Sequence, residues 1–177
     1  MDEARFGLKT WYHRRWCPKG HRPPRVHKKK YEWLWLYSAV EPASQKFLRG
    51  ESFCMYMSHL DGTCFEVFLR KLREAYPEDQ IVLVMDRVGS HQNKSVEWPE
   101  SVNALRLPPR SPELNPAERW FRELRRHLSN RVFDTIEAIE EALTEALRPY
   151  WNEKHLLRRL TGYDWWLSGL ANMTTPT

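Results

Sequence analysis

Ile81-Val82-Leu83-Val84-Met85 is an unbroken apolar run that stops at Asp86. Strands with one wet face alternate apolar and polar residues, whereas continuous runs suit strands covered on both faces, as in parallel sheets. The flanking patterns agree with that reading. Upstream, Phe65, Phe68, Leu69, Leu72 and Tyr76 recur at helical spacing until Pro77. Asp61 and Thr63 are good N-caps there, and Thr63 with Glu66 forms a capping box. Downstream, a short polar segment with weak helical character (Ser90–Glu97) leads to a second strand candidate, Val102–Leu107. Together these make a β-α-β unit.

Strand signals precede the unit. Arg5–Trp16 reads as a strand or hairpin, closed by Pro18, Gly20, Pro23 and Pro24. Glu32–Val40, Gln45–Arg49 and Ser52–Ser58 follow with short links, which suggests an antiparallel meander. After the loop PPRSPELNP, one helix is expected from about Pro116 to Asn130 and another from Asp134–Thr135 to Pro149. A further helix is expected around 151–167, then a frayed tail. The order β-β-β-α-β-α-β-α, with more helix behind it, predicts an α/β fold: one mixed sheet flanked by helices. We divide the chain into a domain over 1–150 and a C-terminal helix and tail over 151–177.

Composition narrows the classes. Hydrophobic residues make up 41% and there are nine tryptophans, which excludes a disordered chain. There is no run of 18 apolar residues to span a bilayer, and MDEARFG lacks the apolar stretch of a signal peptide. The cysteines Cys17, Cys54 and Cys64 are odd in number and lack C-x-x-C spacing, which argues against a disulfide framework or structural zinc and for a reducing cytosol. The net charge of +5 hides a split. Residues 1–30 hold ten Lys/Arg and two acids, hence +8, and the remaining 147 residues hold 18 and 21, hence −3. Such a basic block suits a polyanion, nucleic acid first, although a solvated arm has the same composition.

Three acids stand out. Ligands of open α/β sheets collect beyond the carboxyl ends of the strands, where Asp86 falls. Asp86-Arg87-Val88-Gly89 also reads as a simple turn. Glu118 sits at N3 of a helix start with Asn115 as N-cap and Pro116 at N1, so capping alone accounts for it. Asp2, taken alone, is an acid near a terminus.

The three segments together, MDEARFG, VMDRVGSH and LPPRSPELNPAERWF, resemble the acidic motifs of DDE transposases of the mariner superfamily, and most closely its bacterial insertion-sequence branch. Asp2-Glu3-Ala4-Arg5-Phe6 is similar to that branch's D-E-x-x-F. Asp86 has a histidine, His91, five positions on. Ser111 to Glu118 resembles S-P-x-L-N-P-x-E, with Asp86 and Glu118 separated by 32 positions. The resemblance covers roughly residues 2–150. It implies a ribonuclease H-like fold, with Asp2, Asp86 and Glu118 as catalytic ligands of two Mg²⁺ or Mn²⁺ ions. Two such ions about 3.5–4 Å apart can activate a nucleophile and stabilise the leaving oxyanion, and hard carboxylate oxygens suit them.

The resemblance further implies DNA, as transposon ends and target, as the partner; by charge, Arg14, Arg15, Lys19, Lys28, Lys29, Lys30 and Arg110 suit its phosphates, and His91 is open to positioning DNA or water or to being a turn histidine. Lys and Arg can hold phosphates without reading sequence. Trp11, Tyr12 and Trp16 are open to stacking on bases or to core packing. A homodimer on DNA and a bacterial, cytoplasmic, nucleoid-associated location are implied by analogy. The segment starts one residue before the first acid. A catalytic domain lacking its helix-turn-helix portion, supplied separately, is therefore expected, with Asp2 on a frayed end. The alternatives are a DNA-binding remnant without catalysis and a general ribonuclease H-like nuclease.

Overall fold

The computed structural model describes residues 1–21, 24, 27–42, 49–86, 96–163 and 168. Strands β1 (Asp2–Gly7), β2 (Trp33–Val40) and β3 (Ser52–Met57) form an antiparallel meander in that order. Asp2 stands opposite Ser38, and Trp35 opposite Met57. Strands β4 (Ile81–Met85) and β5 (Val102–Arg106) pair in parallel. The amino group of Met1 donates to the Val84 carbonyl at 2.7 Å and ties the start of β1 to the end of β4.

Pleating sends alternate side chains to opposite faces. Ala4, Phe6, Leu34 and Leu36 therefore form one core with helices α2 (Pro116–Leu128), α3 (Ile136–Asn152) and α4 (Lys154–Thr161). Tyr37 belongs to a second core with Leu83, Met85 and helix α1 (Gly62–Ala75). Phe65, Phe68, Leu69 and Leu72 of α1 are all buried, as their spacing predicts. Each such side chain contributes about 1.5–3 kcal/mol on burial. Helices thus cover both faces of a mixed α/β core. Helix α3 runs through Pro149 to Asn152, and Leu157 of α4 is buried with α2 and α3.

Several local expectations change. Asp61 alone caps α1, its carboxylate accepting the Cys64 amide at 2.8 Å. Thr63 lies inside the helix, so the Thr63–Glu66 capping box does not form, and Glu66 instead accepts the Glu97 amide. β1 ends at Gly7 rather than extending to Trp16. The apolar run of β4 is not covered on both faces: Val82 is 60% exposed and lines a cavity of about 440 Å³ with Ala39 and Phe53. Met1 is buried, so Asp2 does not sit on a frayed end. Most of the strand expected at Gln45–Arg49, most of the weak helix at Ser90–Glu97, and the end of the helix expected around 151–167 lie outside the described residues.

Candidate active site

Asp86 immediately follows β4, Asp2 opens β1, and Glu118 lies in the first turn of α2. One side chain links their three segments. Asn115, 1% exposed, accepts the Ala117 amide at 3.1 Å as the N-cap of α2. Its Nδ2 donates to Asp86 Oδ1 at 3.4 Å and to the Met1 carbonyl at 3.5 Å. An amide supplies both an acceptor and donors, and here the two ends are used for different work. The sequence marks Asn115 as a cap, but its bridge to Asp86 depends on long-range placement that no local pattern carries.

The capping explanation for Glu118 weakens at the same point. A capping-box glutamate would bond back to the amide of its N-cap. The Asn115 amide donates instead to the Pro112 carbonyl at 3.0 Å. Two residues further along α2, Trp120 is fully buried and donates through Nε1 to Ser38 Oγ at 3.0 Å. Ser38 is the cross-strand neighbour of Asp2. This bond fixes the helix bearing Glu118 against the strand opposite Asp2. Ser38 carries no signal in the sequence that would have singled it out.

Asn115→Asp separates the cap from the bridge. It retains the acceptor for Ala117 but places a carboxylate where Nδ2 now faces Asp86. Because cap replacements by alanine cost about 0.5–2 kcal/mol, Asn115→Ala should show that loss in urea denaturation. Asn115→Asp should keep the cap and still lose stability at neutral pH more than at pH 4, through repulsion with Asp86.

Burial is the largest influence on Asp2, pushing its carboxyl from 3.8 up to about 7, against a lowering hydrogen bond from the Glu3 amide at 2.8 Å. The negative charges of Glu3, Glu118 and Asp86 raise it further. A carboxyl raised in the folded state binds a proton that the unfolded chain has released. Its stabilising effect is complete below about pH 4 and is lost progressively as pH rises to about 7. Asp2→Asn should therefore gain stability over the parent chain between pH 5 and pH 8, by at least ~1 kcal/mol in urea midpoints, given 1.36 kcal/mol per pKa unit.

Asp2 senses the charges of Asp86 and Glu118, and all three acids are hard oxygen donors, the ligand type that Mg²⁺ and Mn²⁺ take. Among the described residues, no group of three His, Cys, Asp or Glu side chains stands close enough to hold a metal ion.

Of the basic candidates, Arg14, Arg15, Lys19, Lys29 and Arg110 are exposed. Arg15 donates to the Pro24 carbonyl at 3.0 Å, and Arg110 adopts a positive φ of 59° beside the third motif. Two others are already engaged. Lys28 donates to the Phe133 carbonyl at 2.9 Å and pairs with Asp134 at 2.7 Å, pinning the loop before β2 to the start of α3, and Lys30 pairs with Glu32 at 2.9 Å. His91 lies outside the described residues. Among the described residues, no helix is long and apolar enough to cross a membrane.

A three-stranded meander beside a two-stranded parallel pair, with helices covering both faces, is the ribonuclease H-like architecture of the transposase structures it matches. The chain belongs to the DDE superfamily endonuclease family, whose model matches residues 1–140. Its fold is similar to the Mos1 transposase paired-end complex with left transposon end, at a TM-score of 0.61 and 16% identity over 89% of this chain and 51% of that one. It is similar as well to the Mos1 mariner paired end complex with Mn, at a TM-score of 0.61 and 15% identity over 99% and 55%. The chain thus spans about half the length of these solved transposase chains. The uncharacterized protein y4pE/y4sA of Sinorhizobium fredii (strain NBRC 101917 / NGR234) is 28% identical over 109 residues, 60% of this chain and 77% of that protein.

Proposed function

We propose that this chain is the catalytic domain of an insertion-sequence transposase, cleaving DNA strands at transposon ends and joining them to target DNA with divalent metal ions. The observation that carries the reading is the linkage of the three acid-bearing segments through Asn115, with the Asp2 carboxyl raised in part by Asp86 and Glu118. Asp2, Asp86 and Glu118 would hold two Mg²⁺ or Mn²⁺ ions, which when bound supply an activated nucleophile and charge stabilisation at the phosphate. The chain's own residues do the rest. Asn115 orients Asp86, the Trp120–Ser38 bond sets α2 against β2, the strand paired with β1, and Arg14, Arg15, Lys19, Lys29 and Arg110 are exposed cations for DNA phosphates. A homodimer on paired ends, a separately supplied helix-turn-helix portion and a bacterial nucleoid setting belong to the same proposal.

The test is incubation with end-containing duplex DNA in Mg²⁺, Mn²⁺ or chelator, scored for nicks and for joined products. The reading expects both products, dependent on metal. Nicking of any duplex without joining would favour a general nuclease. Binding without cleavage in either metal would favour a non-catalytic DNA-binding remnant.

A further inference from the structure

Away from the acids, at the opposite end of β1, the sheet face that α1 covers elsewhere is open. Tyr31 is 71% exposed, Trp11 50% and Trp33 44%. They line a groove of about 610 Å³ together with Arg5, Lys9 and Tyr12. Large rings normally go inside, so this many left in water at one place mark a contact surface.

Trp33, Trp11 and Tyr12 each have a charged or aromatic neighbour. The Arg5 guanidinium lies 5.2 Å from the Trp33 ring centroid and 6.0 Å from that of Trp35. Arg125 lies 5.6 Å from the Trp11 ring. Tyr12 stacks on His27 with centroids 5.7 Å apart and shares a 2.6 Å hydrogen bond with its Nδ1. Such contacts fix ring orientation while leaving area exposed. Gly7, paired with Trp33, keeps the floor open: a Cβ there would lie 2.8 Å from the Glu32 carbonyl and 3.2 Å from the Trp33 Cβ.

We propose that this groove binds single-stranded nucleic acid, with bases stacked on Trp33, Tyr31 and Trp11 and phosphates on Lys9 and Arg5. Oriented rings interleaved with cations are what an unpaired strand requires, since every base offers a π-face and every linkage a charge. The charge matches: Arg5, Lys9 and Lys30 line the groove against a single acid, Glu32. A second copy of the chain fits less well, because protein interfaces are depleted in lysine at their centres, while Lys9 and Lys30 both line this groove. Asp2 faces the α2 side of β1 whereas Arg5 and Gly7 face the other, so the groove is separate from the acids. It goes beyond the transposase reading and does not depend on it.

The experiment is fluorescence anisotropy of labelled oligothymidine, and of a labelled duplex of equal length, on the full chain in chelator. Tyr31→Ala and Trp33→Ala should each weaken oligothymidine binding about tenfold, equal to about 1.4 kcal/mol, while duplex binding changes less than twofold. Tyr31 is exposed enough for its loss to spare the fold, and Trp33→Phe should restore most of the affinity. Lys9→Gln should flatten the salt dependence of log K by about 0.7. Oligothymidine affinity within twofold of the parent in both alanine variants would overturn the proposal. Equal losses for oligothymidine and duplex would also overturn it, as would variants that alter only sedimentation mass. Because the assay is run in chelator and reads binding alone, the groove and the metal site succeed or fail separately.

Discussion

Asp86→Asn should remove DNA cleavage almost entirely while leaving the fold and DNA affinity in place. The substitution conserves shape and keeps an acceptor for the Asn115 amide at 3.4 Å, so the bridge to the Met1 carbonyl survives. It takes away the negative charge that a divalent ion requires. Metal assistance stabilises the transition state by several kcal/mol, and at 1.36 kcal/mol per factor of ten a loss of about 10³-fold follows. Glu118→Gln should behave in the same way. The measurement is single-turnover nicking of end-containing DNA in Mg²⁺, with duplex affinity measured in parallel. Cleavage within tenfold of the parent would remove Asp86 from the chemistry, whatever its position after β4.

The largest effect on stability should come from Trp120→Ala. Trp120 is fully buried, meets Tyr150 edge-on with centroids 4.7 Å apart, and donates to Ser38 Oγ. Truncating a buried tryptophan costs about 3–5 kcal/mol, and a domain of this size has about 5–15 kcal/mol in all. In urea, the midpoint should fall by about a fifth or more. Trp120→Phe keeps most of the ring and loses only the N–H, so it should cost about 1–3 kcal/mol by leaving Ser38 without that donor. A loss below 1 kcal/mol for the alanine variant would mean that α2 is not docked on β2 as described. Because Glu118 rides on that helix, metal affinity should fall along with stability.

Much of this arrangement is legible along the chain because it is local. The spacing of Phe65, Phe68, Leu69 and Leu72 declares α1, and Asn115-Pro116 declares the start of α2; both helices are observed. The motif resemblance singles out three acids, and the charges of Asp86 and Glu118 reach Asp2, while no three such side chains among the described residues stand close enough to hold a metal ion. The misreadings share a cause in competition between neighbours. Asp61 stands two residues ahead of Thr63 and takes the capping role, so a valid capping-box pattern goes unused. Val82 belongs to an apolar run, yet the space beside it is a cavity rather than a covering helix. Lys28 and Lys29 are indistinguishable in a basic run, but only the folded chain brings Asp134 to Lys28. Ser38 and the second role of Asn115 are set by contacts across 82 and 29 positions, beyond the range of any local pattern.

The central claim is that Asp2, Asp86 and Glu118 form one metal site. Crystals of the chain soaked in Mn²⁺ and measured near the manganese absorption edge test it most directly. The account predicts anomalous density among the three carboxylates, with Asn115 still bonded to Asp86 and no such density in Asp86→Asn crystals. Manganese bound elsewhere, with the three carboxylates empty at saturating metal, would contradict it.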